Sequence, residues 1–438
     1  MSFEWKPFTD LLAAIVDNRG RTCPVGDAGM PLIATNCIDP GNLYPHYETS
    51  RFVSEETYRT WFRGHPLPGD ILFVCKGSPG RTNWCPDPVD FCIAQDMVAV
   101  RAEPAKIAPK YLFAALRSSL VQSQINNLHV GTMIPHFKKG DFGKLRIPVP
   151  DAGAQIEIGD FYFEVSRRIA LLRETNATLE AIAQAMFKSW FVDFDPVRAK
   201  QQALAPAGMD EATAALFPDS FEKSALGLVP QRWRVNQIGE VVEGVYDGPH
   251  ATPAEADEGP VFLGIKNLTG TGLDLADIRH IAESDWAQWT RRVTPRAGDI
   301  VFSYEATLGF FALIPPELRC CLGRRLALIR PAASAGCAHF LFHQFVSAPF
   351  QRLLAKHTIQ GATVDRIALK QFPSYPILNP PDALKAAFDD LAAPLWARIH
   401  QNQAQAQTLA TLRDTLLPRL ISGQLRLPEA VAEEKVVI

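Results

Sequence analysis

The 438 residues predict an α+β protein: two homologous β-rich mixed globular domains joined by two long helices that pack on one another. Three observations carry that prediction. The first half of the chain recurs in the second at a nearly constant offset. Within each copy, short apolar runs punctuated by Pro and Gly give way to a long stretch with helical periodicity. Each such stretch then carries apolar residues at heptad spacing.

The repeat rests on anchors in a common order. PGDILF at 68–73 matches AGDIVF at 297–302, and FCIAQDMVAVR at 91–101 matches CCLGRRLALIR at 320–330, both at an offset of 229. Gly131 matches Gly361, IPVP at 147–150 matches ILNP at 377–380, and Thr178-Leu179 matches Thr408-Leu409, all at 230. Trp5 finds Trp233 at 228. A period this long marks duplication of a whole domain with its appendage. The expected organisation is a β-rich domain over 1–150, a long helix in 151–193, a linker over 194–226, a second β-rich domain over 227–381, a second long helix in 382–426 and a frayed tail over 427–438.

The β-type runs are Asp70–Lys76 and Phe91–Arg101, then Asp299–Tyr304 and Cys320–Arg330, with turn residues between them. In the first helical stretch Ile169, Leu172, Asn176, Leu179, Ala183, Met186 and Trp190 step by threes and fours. Ile399, Asn402, Ala406, Leu409, Leu416 and Leu420 do the same in the second, where Arg413 is a misfit and Leu412 is expected to pack in its place. Equal length, equivalence by duplication and an Asn in each seam favour the two helices meeting each other. A buried Asn costs stability but can fix register. Residues 194–226 are Ala-, Pro- and acid-rich and have no counterpart before Trp5, as a linker would be.

Several function classes are excluded. NPPD at 379–382 lacks the aromatic ring that would stack on a flipped base, and its duplicate PVPD at 148–151 reads as a lead-in to a helix N-cap Asp. There is no phosphate-binding glycine loop, and DEAT at 210–213 lies in the linker. Cys337, His339 and His343 stand without a second ligand cluster, so no metal site is expected. No catalytic residue emerges. Eight cysteines without a CxxC pair, an opening MSFEWKPFTD unlike a signal peptide and the lack of an 18-residue apolar run point to a cytoplasmic protein with reduced thiols.

Net charge is −3, yet it is unevenly shared: +2 over 1–150, +1 over 227–381 and −6 over the remainder. Arg117, Lys138, Lys139, Lys144 and Arg146 cluster in the first domain, and Arg319, Arg324, Arg325 and Arg330 in the second. Basic residues mix with amides, hydroxyls and aromatics in KGSPGRTNW (76–84), NNLHVGTMIPHFKK (126–139) and KNLTGTG (266–272). That mixture suits a surface that grips phosphates and reads base edges.

The GDILF…GSPG run at 69–80, its partner GDIVF at 298–302, and the helix stretches TLEAIAQAMFKSWFVDF (178–194) and TLLPRLISGQL (415–425) resemble the specificity subunit of type I restriction–modification enzymes. The resemblance spans nearly the whole chain through the order of its parts. It implies that each repeat is a target recognition domain reading one half of a split site on double-stranded DNA. The helices would be conserved spacer regions forming an antiparallel coiled coil, through Ile169, Leu172, Asn176, Leu179, Met186 and Trp190 against Ile399, Asn402, Leu409, Leu412, Leu416 and Leu420. They would dock methyltransferase subunits, two in number, through which restriction/translocase subunits join. The chain itself would be non-catalytic and bind no cofactor, its partners using S-adenosylmethionine, ATP and Mg. GSPG in the first repeat is EATLG (305–309) in the second, so an asymmetric site is expected. The expected DNA contacts are Lys76, Arg81, Asn83, His129, Thr132, His136, Lys138 and Lys139, with Lys266, Asn267, Tyr304, Arg324, Arg325, Gln360, Thr363 and Arg366 in the second domain. The alternative is a non-enzymatic coiled-coil adaptor whose two β-rich domains bind protein.

Overall fold

The computed structural model describes residues 3–18, 22–47, 50–128, 131, 133–332, 337–361 and 364–427. The chain folds into two compact units, one comprising Met1–Glu174 with Gln405–Ile438 and the other Thr175–Ala404. Each long helix therefore contributes one half to each unit.

In the first unit, Leu12–Asp17, Met97–Ala102, Ile71–Val74 and Thr82–Trp84 form a four-stranded antiparallel sheet in that spatial order. A three-stranded sheet runs Phe52–Val53, Met30–Ile33, Cys92–Ile93, the last pair parallel. Glu4–Pro7 pairs with Arg146–Val149, and helices Pro109–Arg117 and Ser119–Leu128 cover the larger sheet's core. The second unit repeats this plan. Its four-stranded sheet is Val242–Asp247, Leu326–Pro331, Ile300–Ser303, Phe311–Leu313, and its three-stranded sheet is Arg279–His280, Ala256–Leu263, Cys320–Leu322. Arg234–Gln237 pairs with Pro376–Asn379, beside helices Ala338–Val346 and Ala348–Lys356.

The GDI motifs are structural. Gly69 and Gly298 adopt φ of +84° and +82°, which only glycine takes without strain. The following aspartates, Asp70 and Asp299, are each 1% exposed; Asp70 accepts from Arg101 at 2.8 Å and 2.8 Å and from the Leu67 amide at 2.8 Å, and Asp299 from Arg330 at 2.9 Å and 2.7 Å and from the Arg296 amide at 2.9 Å. The apolar residues that follow are continuous rather than alternating because the strand is buried on both faces. Ile71 and Phe73 enter one core, Leu72 and Val74 another.

Three expectations need correction. Phe91–Arg101 and Cys320–Arg330 are each two strands in different sheets, broken at Gln95-Asp96 and at Gly323–Arg325, where Arg325 takes φ +86°. Trp5 is not the counterpart of Trp233: Trp5 faces Pro148 as Val235 faces Leu378, an offset of 230. Trp5 is 44% exposed, whereas Trp233 is buried against Phe191 and Phe194. The stretch expected as a linker folds into helices Asp195–Gln201 and Glu211–Ala215 and a hairpin, Phe221–Ser224 with Gly227–Pro230. Val197 and Phe217 anchor it in the aromatic core of the second unit, a purpose its Ala- and Pro-rich composition conceals. Asp210 of DEAT caps the second of these helices, accepting the Thr213 amide at 2.7 Å.

The long helices are Ala152–Phe191 and Asp382–Ile421, 40 residues each, the second continuing through Pro394 and Pro418. Asp151 accepts the Ala154 amide at 2.9 Å as the N-cap of the first. Within the first unit, Ile169 and Leu172 pack on Ala406 with Leu409 beside them. Arg413 is no misfit: it is 7% exposed, donates to Ser166 Oγ at 3.3 Å, lies over the Tyr162 ring and pairs with Asp414. Leu412 is only half-buried, at the edge of the first unit's core, while Leu416 and Leu420 enter that core with Ile158 and Tyr162. Within the second unit, Asn402 Nδ2 donates to Asn176 Oδ1 at 2.8 Å and Asn176 Nδ2 donates to the Ile399 carbonyl at 3.1 Å. Leu179 and Met186 flank the second unit's core, and Trp190 lies inside it against Phe388. All eight cysteines are free and buried, and among the described residues no helix is long and apolar enough to cross a membrane.

Candidate nucleic-acid interface

In each unit the hairpin at one edge of the four-stranded sheet ends in a tight turn, joined to a second loop far away in sequence. The turn closes through Gly80 N to Val74 O at 3.0 Å in the first unit and Gly309 N to Ser303 O at 3.2 Å in the second. Gly80 and Gly309 have positive φ and lie directly on Gln122 and Gln351. Gln122 Nε2 bridges the carbonyls of Gly80 and Leu116 at 2.9 Å and 2.6 Å, and Gln351 bridges those of Gly309 and Phe345 at 3.1 Å and 2.8 Å. These glutamines, at an offset of 229, hold the turn to the helix pair behind it. Only their recurrence in the repeat could have flagged them.

The second loop follows Gly131 or Gly361. Phe137 N donates to Cys75 O and Ile367 N to Tyr304 O, both at 2.8 Å, while Gly77 N reaches Pro135 O at 2.9 Å and Ala306 N reaches Asp365 O at 3.0 Å. Lys76 thereby bridges to His136, and Glu305 to Arg366. One backbone frame presents two different sets of side chains.

In the first unit this frame brings together Lys76, Arg81, His136, Lys138 and Lys139, all among the expected DNA contacts. Arg81, Lys138 and Lys139 are exposed, Lys76 and His136 half-buried. Lys139 pairs with Asp17. Among the described residues no hydrogen bond or ion pair engages the side chains of Lys76 or Arg81. In the second unit it brings together Tyr304, Arg325 and Arg366, since Tyr304 N also donates to Arg325 O at 3.1 Å. Arg324 is exposed beside Arg325, and exposed Gln360 follows the strand Thr358–Ile359 that pairs with Arg366–Ile367. Lys266 sits instead on the turn Ile265–Asn267, paired with Asp277 at 2.5 Å, and that ammonium holds the Asp277 carboxyl below its ordinary range. His129, Thr132 and Thr363 lie outside the described residues.

Three expected contacts are structural instead. Asn83 is fully buried, donating to the carbonyls of Asp39 and Asn42 at 2.9 Å and 2.7 Å and accepting the Asp39 amide at 3.0 Å. Asn267 is 2% exposed, accepts the Gly264 amide and donates to the carbonyls of Asp274 and Asp277. Both pin loops, a task that amides perform as readily as base reading. Tyr304 is 4% exposed, and burial pushes its phenol up to about 12.

The fold resembles the crystal structure of the type I restriction–modification S subunit from M. genitalium, with a TM-score of 0.54 at 15% identity, covering 96% of each chain. In sequence, the chain is 23% identical over 403 residues to the type I restriction enzyme HindI specificity subunit of Haemophilus influenzae, spanning 82% of this chain and 86% of that one. It is 23% identical over 332 residues to the MjaIX specificity subunit of Methanocaldococcus jannaschii, spanning 74% and 70%. A family model described as the type I restriction modification DNA specificity domain matches residues 30–181. The chain thus carries a match to this specificity domain in its first half and is similar to specificity subunits over most of its length. The matched span runs from the three-stranded sheet through both loops of the first frame into the long helix, so the match includes the surface just described. The second frame repeats that surface with other side chains.

Proposed function

We propose that this chain is a type I restriction–modification specificity subunit that reads a bipartite, asymmetric site on double-stranded DNA, each repeat domain contacting one half-site through its pair of joined loops. The observation that carries this is the identity of the two backbone frames set against the difference of their side chains. Lys and Arg on such loops give affinity and register through phosphates, while amide, guanidinium and carboxylate groups choose bases. Each well-formed bidentate contact contributes about 1–3 kcal/mol of discrimination.

The chain is the non-catalytic member of its assembly. In this reading the methyltransferase subunits, two of them, dock on the long helices and bring S-adenosylmethionine, and the restriction subunits bring ATP and Mg. The helices act as an antiparallel coiled coil whose length sets the gap between half-sites. The Asn176–Asn402 hydrogen bond supports a unique register for that pair.

Exchanging residues 1–150 for those of another specificity subunit, followed by mapping of modified adenines in cells that also express the partner subunits, tests the two-reader model. One half of the site should change and the other persist. A map in which both halves change, or neither does, refutes it.

A further inference from the structure

The two frames differ in charge at equivalent positions. The backbone hydrogen bonds that join the loops place Glu305 where Lys76 stands in the first frame and Phe310 where Arg81 stands. The same register sets Ala368 and Leu369 against Lys138 and Lys139, and Asp365 against Pro135. The first frame thus offers Lys76, Arg81, Lys138, Lys139 and His136 beside Asp96; the second offers Arg325 and Arg366 with two carboxylates, Glu305 and Asp365. Among the described residues no hydrogen bond or ion pair engages the Glu305 carboxylate, which is half-buried next to Tyr304.

Resting on the reading above, we infer that Glu305 is a specificity-determining residue of the second half-site and that it selects cytosine. A carboxylate only accepts hydrogen bonds, and the phosphate backbone repels it. At a DNA surface its favourable partner is a base-edge donor in the major groove, and the cytosine N4 amino group is the donor that carboxylates take there. Guanine presents only acceptors along the same edge, which Glu305 rejects and Lys76 accepts. The duplication therefore converts one position from a reader of guanine or phosphate into a reader of cytosine without altering the frame.

The test maps modified adenines in cells expressing the full chain with its partner subunits, for wild type, Glu305→Gln, Glu305→Asp and Lys76→Gln. The second half-site is the half that persists when residues 1–150 are exchanged. Glu305→Gln should reduce the preference for cytosine at one position of that half about tenfold and admit adenine, which Gln reads through N6 and N7. Glu305→Asp, which keeps the acceptor, should retain cytosine there, showing that the frame tolerates substitution. Lys76→Gln should alter only the first half. An unchanged second half in Glu305→Gln with modification intact, or relaxation at a position other than cytosine, overturns the assignment and leaves the DNA reading standing. Failure of the wild-type chain to direct modification at any bipartite site would remove the reading itself.

Discussion

His343 shows what a single buried side chain adds to pH dependence. It is 1% exposed, its Nε2 accepts the Trp396 indole N–H at 3.1 Å, and its Nδ1 has no hydrogen-bond partner among the described residues. Phe187, Phe342 and Phe388 surround it. Burial, with His339 nearby, lowers its pKa to about 3, and burial lowers that of His400 to about 4. Both groups take up a proton on unfolding, where the ordinary value of 6.5 applies. Their stabilising effect is complete above pH 6.5 and is lost as pH falls toward the folded values, each adding a slope of up to about 1.4 kcal/mol per pH unit. Replacing His343 with Gln, which still accepts from Trp396, should remove about half of that slope between pH 6 and pH 4 in urea unfolding. A slope equal to wild type would show that His343 is protonated in the folded protein. At this scale sequence reading erred in a consistent direction. Asn83, Asn267 and Tyr304 have the residue types of a DNA surface, but burial, which no single residue announces, commits the two amides to holding loops and the Tyr304 ring to the second unit's core.

At the scale of elements, heptad spacing revealed both long helices and the Asn in each seam, because a stripe repeated every three and four residues has few other uses. What each seam residue meets was less legible. Arg413 breaks the apolar rule locally, yet Ser166 and Tyr162 lie 247 and 251 positions away in the chain and supply its partners. The strands were harder still, since two of the apolar runs divide between sheets at a two- or three-residue turn. Asn176 and Asn402 permit a sharper test. Asn402→Ala leaves Asn176 Oδ1 without its donor in a part-buried seam and should cost about 1–3 kcal/mol in thermal or urea unfolding. Replacing both with Leu should recover that loss or exceed it, at the expense of register. If the single variant melts with wild type, the amide pair contributes nothing to the helix contact.

For the whole molecule, duplication was the most legible feature, because two copies of one fold preserve their glycines, buried aspartates and strand cores even where the reading residues diverge. Asp70 and Asp299, Gln122 and Gln351, and the joined loops all recur at 229 or 230. Divergence includes exposed or half-buried loop positions such as Lys76 and Glu305, as expected of a scaffold that keeps its geometry while its target changes. The same logic applies to the helices if their length sets the gap between half-sites. Seven residues added to each helix at the level of Asn176 and Asn402 preserve the heptad phase and lengthen each by about 10 Å at 1.5 Å per residue. At 3.4 Å per base pair, the unspecified gap should widen by about three base pairs, with both half-site sequences unchanged in the map of modified adenines. Four residues in place of seven form a stutter that the seam absorbs by local unwinding, and should lengthen the gap by less, again without altering either half-site. A heptad insertion that left the gap at its original length would show that something other than the helices determines it.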